Sequence, residues 1–354
     1  MNFLVGYQLC EKDLFLEEII NQKNKIGEIY FSYGDLPNGR HQAGLHSTLP
    51  KWEAKARMDE DLSVLRDNGL KFNLLLNGNC YGGASLSRNF LVEVLETVDE
   101  VAEKFSLSSI TTTSPVLART VKENFPNLEI RASVNMELRT IDGMEYLSDI
   151  FDGFYIAREL NRNISELKKL REWCVKNGKK SYILANSGCL NFCSARQFHD
   201  NLVAHEKEIM AMDNAVNFKG ICTDYFKNSN NSSLYLRKLN FIRPEDLHLF
   251  EGLTDGVKLA TRVNFNPTQV LKAYAEGKYA GNLLELLEPN HAECFYPNIL
   301  ENSKIPTEFS KTAYFCGGKC SENNCHICEK SVESATSILP DAYFLDDSNK
   351  KECK

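Results

Sequence analysis

The chain has 354 residues, a formal net charge of −7, 43% hydrophobic and 25% charged residues. That composition supports a sizeable folded core and excludes a disordered chain. The acidic balance argues against gripping nucleic acid by phosphate neutralisation, and no apolar run approaches the roughly 20 residues that span a bilayer.

Short β-rich runs alternate with long amphipathic ones, the pattern of repeated βα units. Strands are expected at Phe3–Tyr7, Glu28–Ser32, Lys71–Leu76, Ser109–Thr113, Glu129–Val134, Gly153–Ala157 and Ser181–Ala185, with an eighth at Gly256–Ala260. Between them, Leu86–Phe105 repeats Phe90, Leu91, Val94, Leu95, Val98 and Ala102 at helical spacing. Ile164–Lys176 carries a stripe of Leu167, Leu170, Trp173 and Cys174, which makes Cys174 a packing residue. Helices over Thr268–Glu276 and Ala280–Leu287 would close the ring. The expected fold is α/β, a (β/α)8 TIM-like barrel over 1–287 with an insertion at about 187–255, followed by a cysteine-rich extension over 288–354. The start of the chain turns acidic too early for a secretory signal, so the cytoplasm is the expected location.

Twelve cysteines are many for a reducing compartment, where disulfides are disfavoured, and this points to metal or redox work. In a (β/α) barrel the loops after the strands build the functional face. Cys80 follows strand three in NLLLNGNCYGG, and Cys189 and Cys193 follow strand seven in LANSGCLNFCSARQFH. Cys222, in FKGICTDYF, would fold back from the insertion. Four such thiolates suit a [4Fe–4S] cluster or tetrahedral zinc. In the extension, FCGGKCSENNCHIC spaces Cys316, Cys320, Cys325 and Cys328 as C-x3-C-x4-C-x2-C, a compact knuckle for zinc or iron–sulfur. It is not the C-x3-C-x2-C of radical S-adenosylmethionine enzymes. Cys10, Cys294 and Cys353 are isolated.

Arg196 and His199 follow the cysteine pair at short helical spacing with Asp200 beside them, placed to move a proton, assist a cluster or bind an anion, although capping or surface roles are the ordinary alternative. His205 offers less. Lys258 and Arg262 flank strand eight and could present positive charge to a carboxylate or phosphate, while Arg243, Glu245 and Asp246 fit a helix start. The glycines match neither a P-loop nor a GxGxxG fingerprint, and HExxH and GxSxG are absent.

IRPEDL followed by DGVKLATR, downstream of a cysteine–arginine–histidine motif, resembles the collagenase-like peptidase family of unassigned catalytic type over roughly residues 1–287. The resemblance implies a (β/α) barrel with cysteine-bound iron–sulfur, and oxygen-independent hydroxylation in ubiquinone synthesis or of transfer and ribosomal RNA. Residue by residue, the family's Cys-x3-Cys with following Arg and His falls on Cys189, Cys193, Arg196 and His199, and its loop cysteine on Cys80. Asn186-Ser187-Gly188-Cys189 departs from the familiar Asn-Glu-Gly-Cys, Ser194 replaces the usual proline, and the terminal cysteine knuckle is not general, which marks a divergent branch. The leading expectation is an iron–sulfur enzyme that modifies a small molecule or peptide, RNA being disfavoured by charge, with an electron donor or partner protein. The alternatives are a peptidase and a metal-stabilised, non-enzymatic partner subunit.

Overall fold

In a computed structural model, described here for residues 1–10, 13–40, 48–216, 218–320 and 322–339, eight strands form a closed parallel barrel in chain order. They are β1 (Phe3–Gly6), β2 (Ile26–Phe31), β3 (Phe72–Leu76), β4 (Leu107–Thr112), β5 (Glu129–Ala132), β6 (Gly153–Tyr155), β7 (Lys180–Leu184) and β8 (Gly256–Leu259). Closure comes from β1 pairing with β8, Leu4 opposite Lys258. All eight expected strands are present. Cys353 lies outside the described residues.

The helices between strands are α1 (Leu14–Asn21), α2 (Lys51–Asp67), α3 (Arg88–Phe105), α4 (Pro115–Asn124), α5 (Ile141–Glu145) and α6 (Ile164–Lys176). Their starts are written locally. Ser87 accepts a hydrogen bond from the Phe90 N–H, Ser114 from Leu117 ahead of Pro115, and Asn163 from Glu166, each satisfying an otherwise orphaned donor. Cys174 is fully buried on α6, as its stripe predicts.

After β7 the insertion forms four short helices, α7 (Arg196–Ala204), α8 (Glu206–Met210), α9 (Ile221–Lys227) and α10 (Tyr235–Lys238). Following β8, α11 (Pro267–Glu276) ends on Gly277 in the left-handed conformation. The helix expected over Ala280–Leu287 is instead a 3-10 turn at Leu283–Leu286. The Asn282 side chain accepts from the Leu284 and Leu300 N–H groups there, and this turn chemistry wins over helical propensity.

The remaining chain supplies α12 (Ala292–Phe295), β9 (Asn298–Leu300), α13 (Thr307–Ala313), α14 (Ile327–Ala335) and β10 (Thr336–Ile338), with β9 and β10 antiparallel. Leu300, Phe309, Tyr314, Val332 and Ala335 join the main hydrophobic core, so the change of composition at 288 is not a break in packing. The IRPEDL segment is what receives it. The Tyr314 hydroxyl donates to Asp246 at 2.8 Å and accepts from the Arg243 N–H, while Arg243 Nε donates to Asn302 at 2.8 Å. Among the described residues no helix is long and apolar enough to cross a membrane.

Candidate active site

The interior of the barrel is polar at one level and aromatic at the next. Towards the N-terminal ends of the strands, Arg131 pairs with Glu28 at 2.5 Å and Glu129 at 2.8 Å, and its guanidinium lies 4.2 Å from the centre of the Tyr182 ring. Asn73 donates to Ser109, which donates to Glu28, so this layer is internally satisfied.

Above it sits Lys258. Its Nζ lies 3.8 Å from the centre of the Tyr30 ring and 5.0 Å from that of Tyr155, with only 7% of the residue exposed. Burial, reinforced by Arg262, lowers the ammonium pKa to about 7. Tyr30 is held by donation to the Leu259 carbonyl at 2.6 Å, and burial raises its phenol to about 12. The buried Tyr155 hydroxyl has no hydrogen-bond partner among the described residues. Neither do Nε and Nη1 of Arg158, which donates only from Nη2 to Asn135 at 2.8 Å, nor Nη1 of Arg262. Arg262 Nη2 donates to Asn38 and to the Arg40 carbonyl. Gly6 is required beneath this cluster, because a Cβ there would stand 2.7 Å from both Arg262 Cγ and Tyr30 Cζ. The result is a cationic, incompletely hydrogen-bonded barrel mouth.

Of the four thiols expected to converge, the structure groups three. Cys189 and Cys193 lie near enough to Cys222 that, after burial itself, they raise its pKa to about 11. Asn186 fixes the start of their loop, accepting from the Ala260 N–H at 2.6 Å and donating to the carbonyls of Ala260 and Leu286. Cys80 is elsewhere. Its thiol pairs with His205 and accepts the Gly82 N–H at 3.4 Å, contacts that lower its pKa, while the thiol raises that of His205. His205 is engaged by a carboxylate as well, Nδ1 meeting Glu208 Oε2 at 3.1 Å. Cys80, His205 and Glu208 thus lie beside one another in turn, a thiol, an imidazole and a carboxylate, where the loop after β3 meets the start of α8. His205 is not singled out by the sequence because nothing in its local spacing ties it to Cys80.

Arg196 is not a free cation. It is 6% exposed and bonded to Glu159 at 2.5 Å, Glu137 at 2.8 Å and the Leu190 carbonyl, a structural brace for the cysteine loop. His199 lies 5.2 Å from the Phe218 ring, and burial with Arg40 nearby lowers its pKa. In the last segment, Cys320 neighbours Cys316 and Cys325, and Cys328 neighbours Cys320 and Cys316. Among the described residues no three His, Cys, Asp or Glu side chains stand close enough to hold a metal as they are placed, so either thiol group would have to draw its sulfurs together to bind one.

No family model matches the chain. A protein of Methanocaldococcus jannaschii named an uncharacterized protease is 25% identical over 347 residues, covering 91% of this chain and 96% of its own. Among solved structures, a U32 peptidase superposes with a TM-score of 0.51 at 16% identity, covering 73% of this chain and 91% of that one, a likeness of fold.

Proposed function

We propose that this chain, a distant relative of the collagenase-like (U32) peptidases, is an enzyme that cleaves peptides with Cys80 as nucleophile. The observation that carries the reading is the placement of His205, held by Glu208 at 3.1 Å, next to the Cys80 thiol, close enough that each shifts the other's pKa. His205 holds the thiol as thiolate. Attack on a peptide carbonyl forms a thioester, and the departing amine takes its proton from the His205 imidazolium. Water then attacks the thioester, His205 accepts its proton, and the carboxylic acid product leaves with the thiol restored. The Gly82 N–H is given to the thiol, and the N–H groups that follow it at the start of the 3-10 turn Gly82–Leu86 are the backbone donors proposed for the oxyanion.

The test is peptide cleavage by the full chain against C80A, H205A and E208Q. C80A and H205A should each lose activity by about 100-fold or more, and E208Q by less, since removing the orienting group leaves nucleophile and base in place. Undiminished cleavage by C80A would end the proposal.

A second reading, iron–sulfur-dependent modification such as oxygen-independent hydroxylation of a small molecule or peptide, is favoured by the grouping of Cys189, Cys193 and Cys222. Their donor chemistry suits a cluster held by three protein thiolates; Cys80 would have to leave the side of His205 to supply a fourth. When bound, a cluster would supply one-electron chemistry, drawing on an electron donor or partner protein. Arg196, through its ion pairs, would position the loop holding it. Cys316, Cys320, Cys325 and Cys328 would form a separate closed site, for zinc or a second cluster. Metal and sulfide analysis of anaerobically purified protein decides: iron and sulfide in equal amounts, lost in C189S, support this reading, and zinc alone or no metal removes it. Cytoplasmic placement, where twelve thiols remain reduced, accords with both readings.

A further inference from the structure

We infer that the barrel mouth is a second site, independent of the Cys80 thiol, which binds a small anionic carbonyl compound and holds it as an imine on Lys258. The amine lies at the C-terminal end of β8, where barrel enzymes place their chemistry. It is packed on two aromatic faces and has no carboxylate or carbonyl partner among the described residues. Glu28, the acid that bears on it electrostatically, is already paired with Arg131. A lysine kept only for stability would be expected to find a counter-ion. This one is surrounded by Arg262, Arg131 and Arg158, which favour its neutral, nucleophilic form.

The same arginines specify the ligand. Arg158 is 4% exposed yet leaves Nε and Nη1 unbonded, and Nη1 of Arg262 is likewise enclosed and unbonded. Buried donors of this kind carry a desolvation cost that a carboxylate or phosphate would relieve. The Tyr155 ring packs beside the amine, and its buried hydroxyl has no hydrogen-bond partner among the described residues. The Nζ lone pair attacks the carbonyl carbon and the oxygen takes up a proton, giving a carbinolamine. Loss of water, with the nitrogen giving up its remaining excess proton, leaves the C=N bond; no oxidant or reductant is consumed.

The test treats the folded full chain with pyruvate or with glyceraldehyde 3-phosphate in the presence of cyanoborohydride, which reduces any imine to a stable secondary amine, and locates the adduct by peptide mass mapping. Acetone, a neutral carbonyl compound, is the control. The expected result is a single adduct on Lys258 with one of the two anionic probes, whichever anion the arginines prefer. Labelling should fall by about tenfold or more in R262M, the loss expected of a charge-assisted hydrogen bond. Heat-unfolded wild-type protein should lose the selectivity, a comparison that needs no variant to fold. C80A, unable to cleave peptides, should trap as wild type does. No adduct from either anionic probe, an adduct spread over surface lysines, equal labelling by acetone, or loss of trapping in C80A would each overturn the inference.

Discussion

Two side chains carry most of the chemistry because each is held away from its ordinary protonation behaviour. Burial, with Arg262 beside it, lowers Lys258 to about 7, whereas an unfolded lysine titrates near ~10.4. Between those values the unfolded chain binds the proton more tightly, so stability rises with pH across that window, and the cost of the buried charge is fully felt below it. K258M removes that cost. It should unfold at a higher temperature than wild type at pH 7, by a few degrees or more, with the gap closing towards about pH 10. A thermal melt series across pH checks this, and a variant less stable at pH 7 would refute it. For Cys80 the shift is downward too, but there it favours the charged form and not the neutral one. Pairing with His205 lowers the thiol pKa, so thiolate persists below the ordinary thiol range and is lost only as pH falls through the lowered value. Iodoacetamide at neutral pH should label Cys80 ahead of Cys222, whose thiol is pushed up to about 11, and H205A should slow Cys80 by about tenfold.

At the level of elements, the barrel depends on a charged layer and a tight loop junction. Removing Arg131 leaves Glu28 as an uncompensated buried carboxylate, while Glu129 keeps Lys180 at 2.7 Å, and R131A should cost about 3–5 kcal/mol in denaturant unfolding. The pair E28Q/R131M should recover much of that loss, because the unpaired charge is gone. At the end of β7, Gly188 is fixed by its neighbours. A Cβ there would stand 2.1 Å from the Pro289 carbonyl oxygen, a backbone atom that cannot rotate away, and the Gly188 N–H donates to the Glu288 carbonyl. G188A should therefore displace the loop bearing Cys189 and Cys193, read as destabilisation of about 1–3 kcal/mol. An unchanged melting curve would mean that the junction is looser than described.

For the whole molecule, the final segment is part of the barrel's packing. Truncation after Glu288 would remove Phe309 and Tyr314, both fully buried, and strip Asp246 and Arg243 of their partners. The truncated chain should aggregate or fail to melt cooperatively. A soluble, cooperatively folding product of residues 1–288 would show instead that the segment only docks on a self-sufficient barrel. Under the proposed metal site at the cysteine knuckle, chelation should act in the same direction, because α14, which begins within it at Ile327, packs on α10 of the insertion.

The strand positions were legible because the elements leave their mark locally: short β-rich runs alternate with longer amphipathic ones, and all eight strands lie where such runs stand. The same local grammar marked the loops after β3, β7 and β8 as the functional face, and with them Cys80, Cys189, Lys258 and Arg262. What it could not express was distance between loops. Closure of the ring, through Leu4 opposite Lys258, is what stacks that amine on Tyr30 and Tyr155. The path of the insertion separates Cys80 from the other three thiols and seats it against His205. Residue types and periodicity determined the architecture and the candidate chemistry, since each depends on short stretches of chain; only the tertiary structure decided which candidates meet, because that depends on long-range closure.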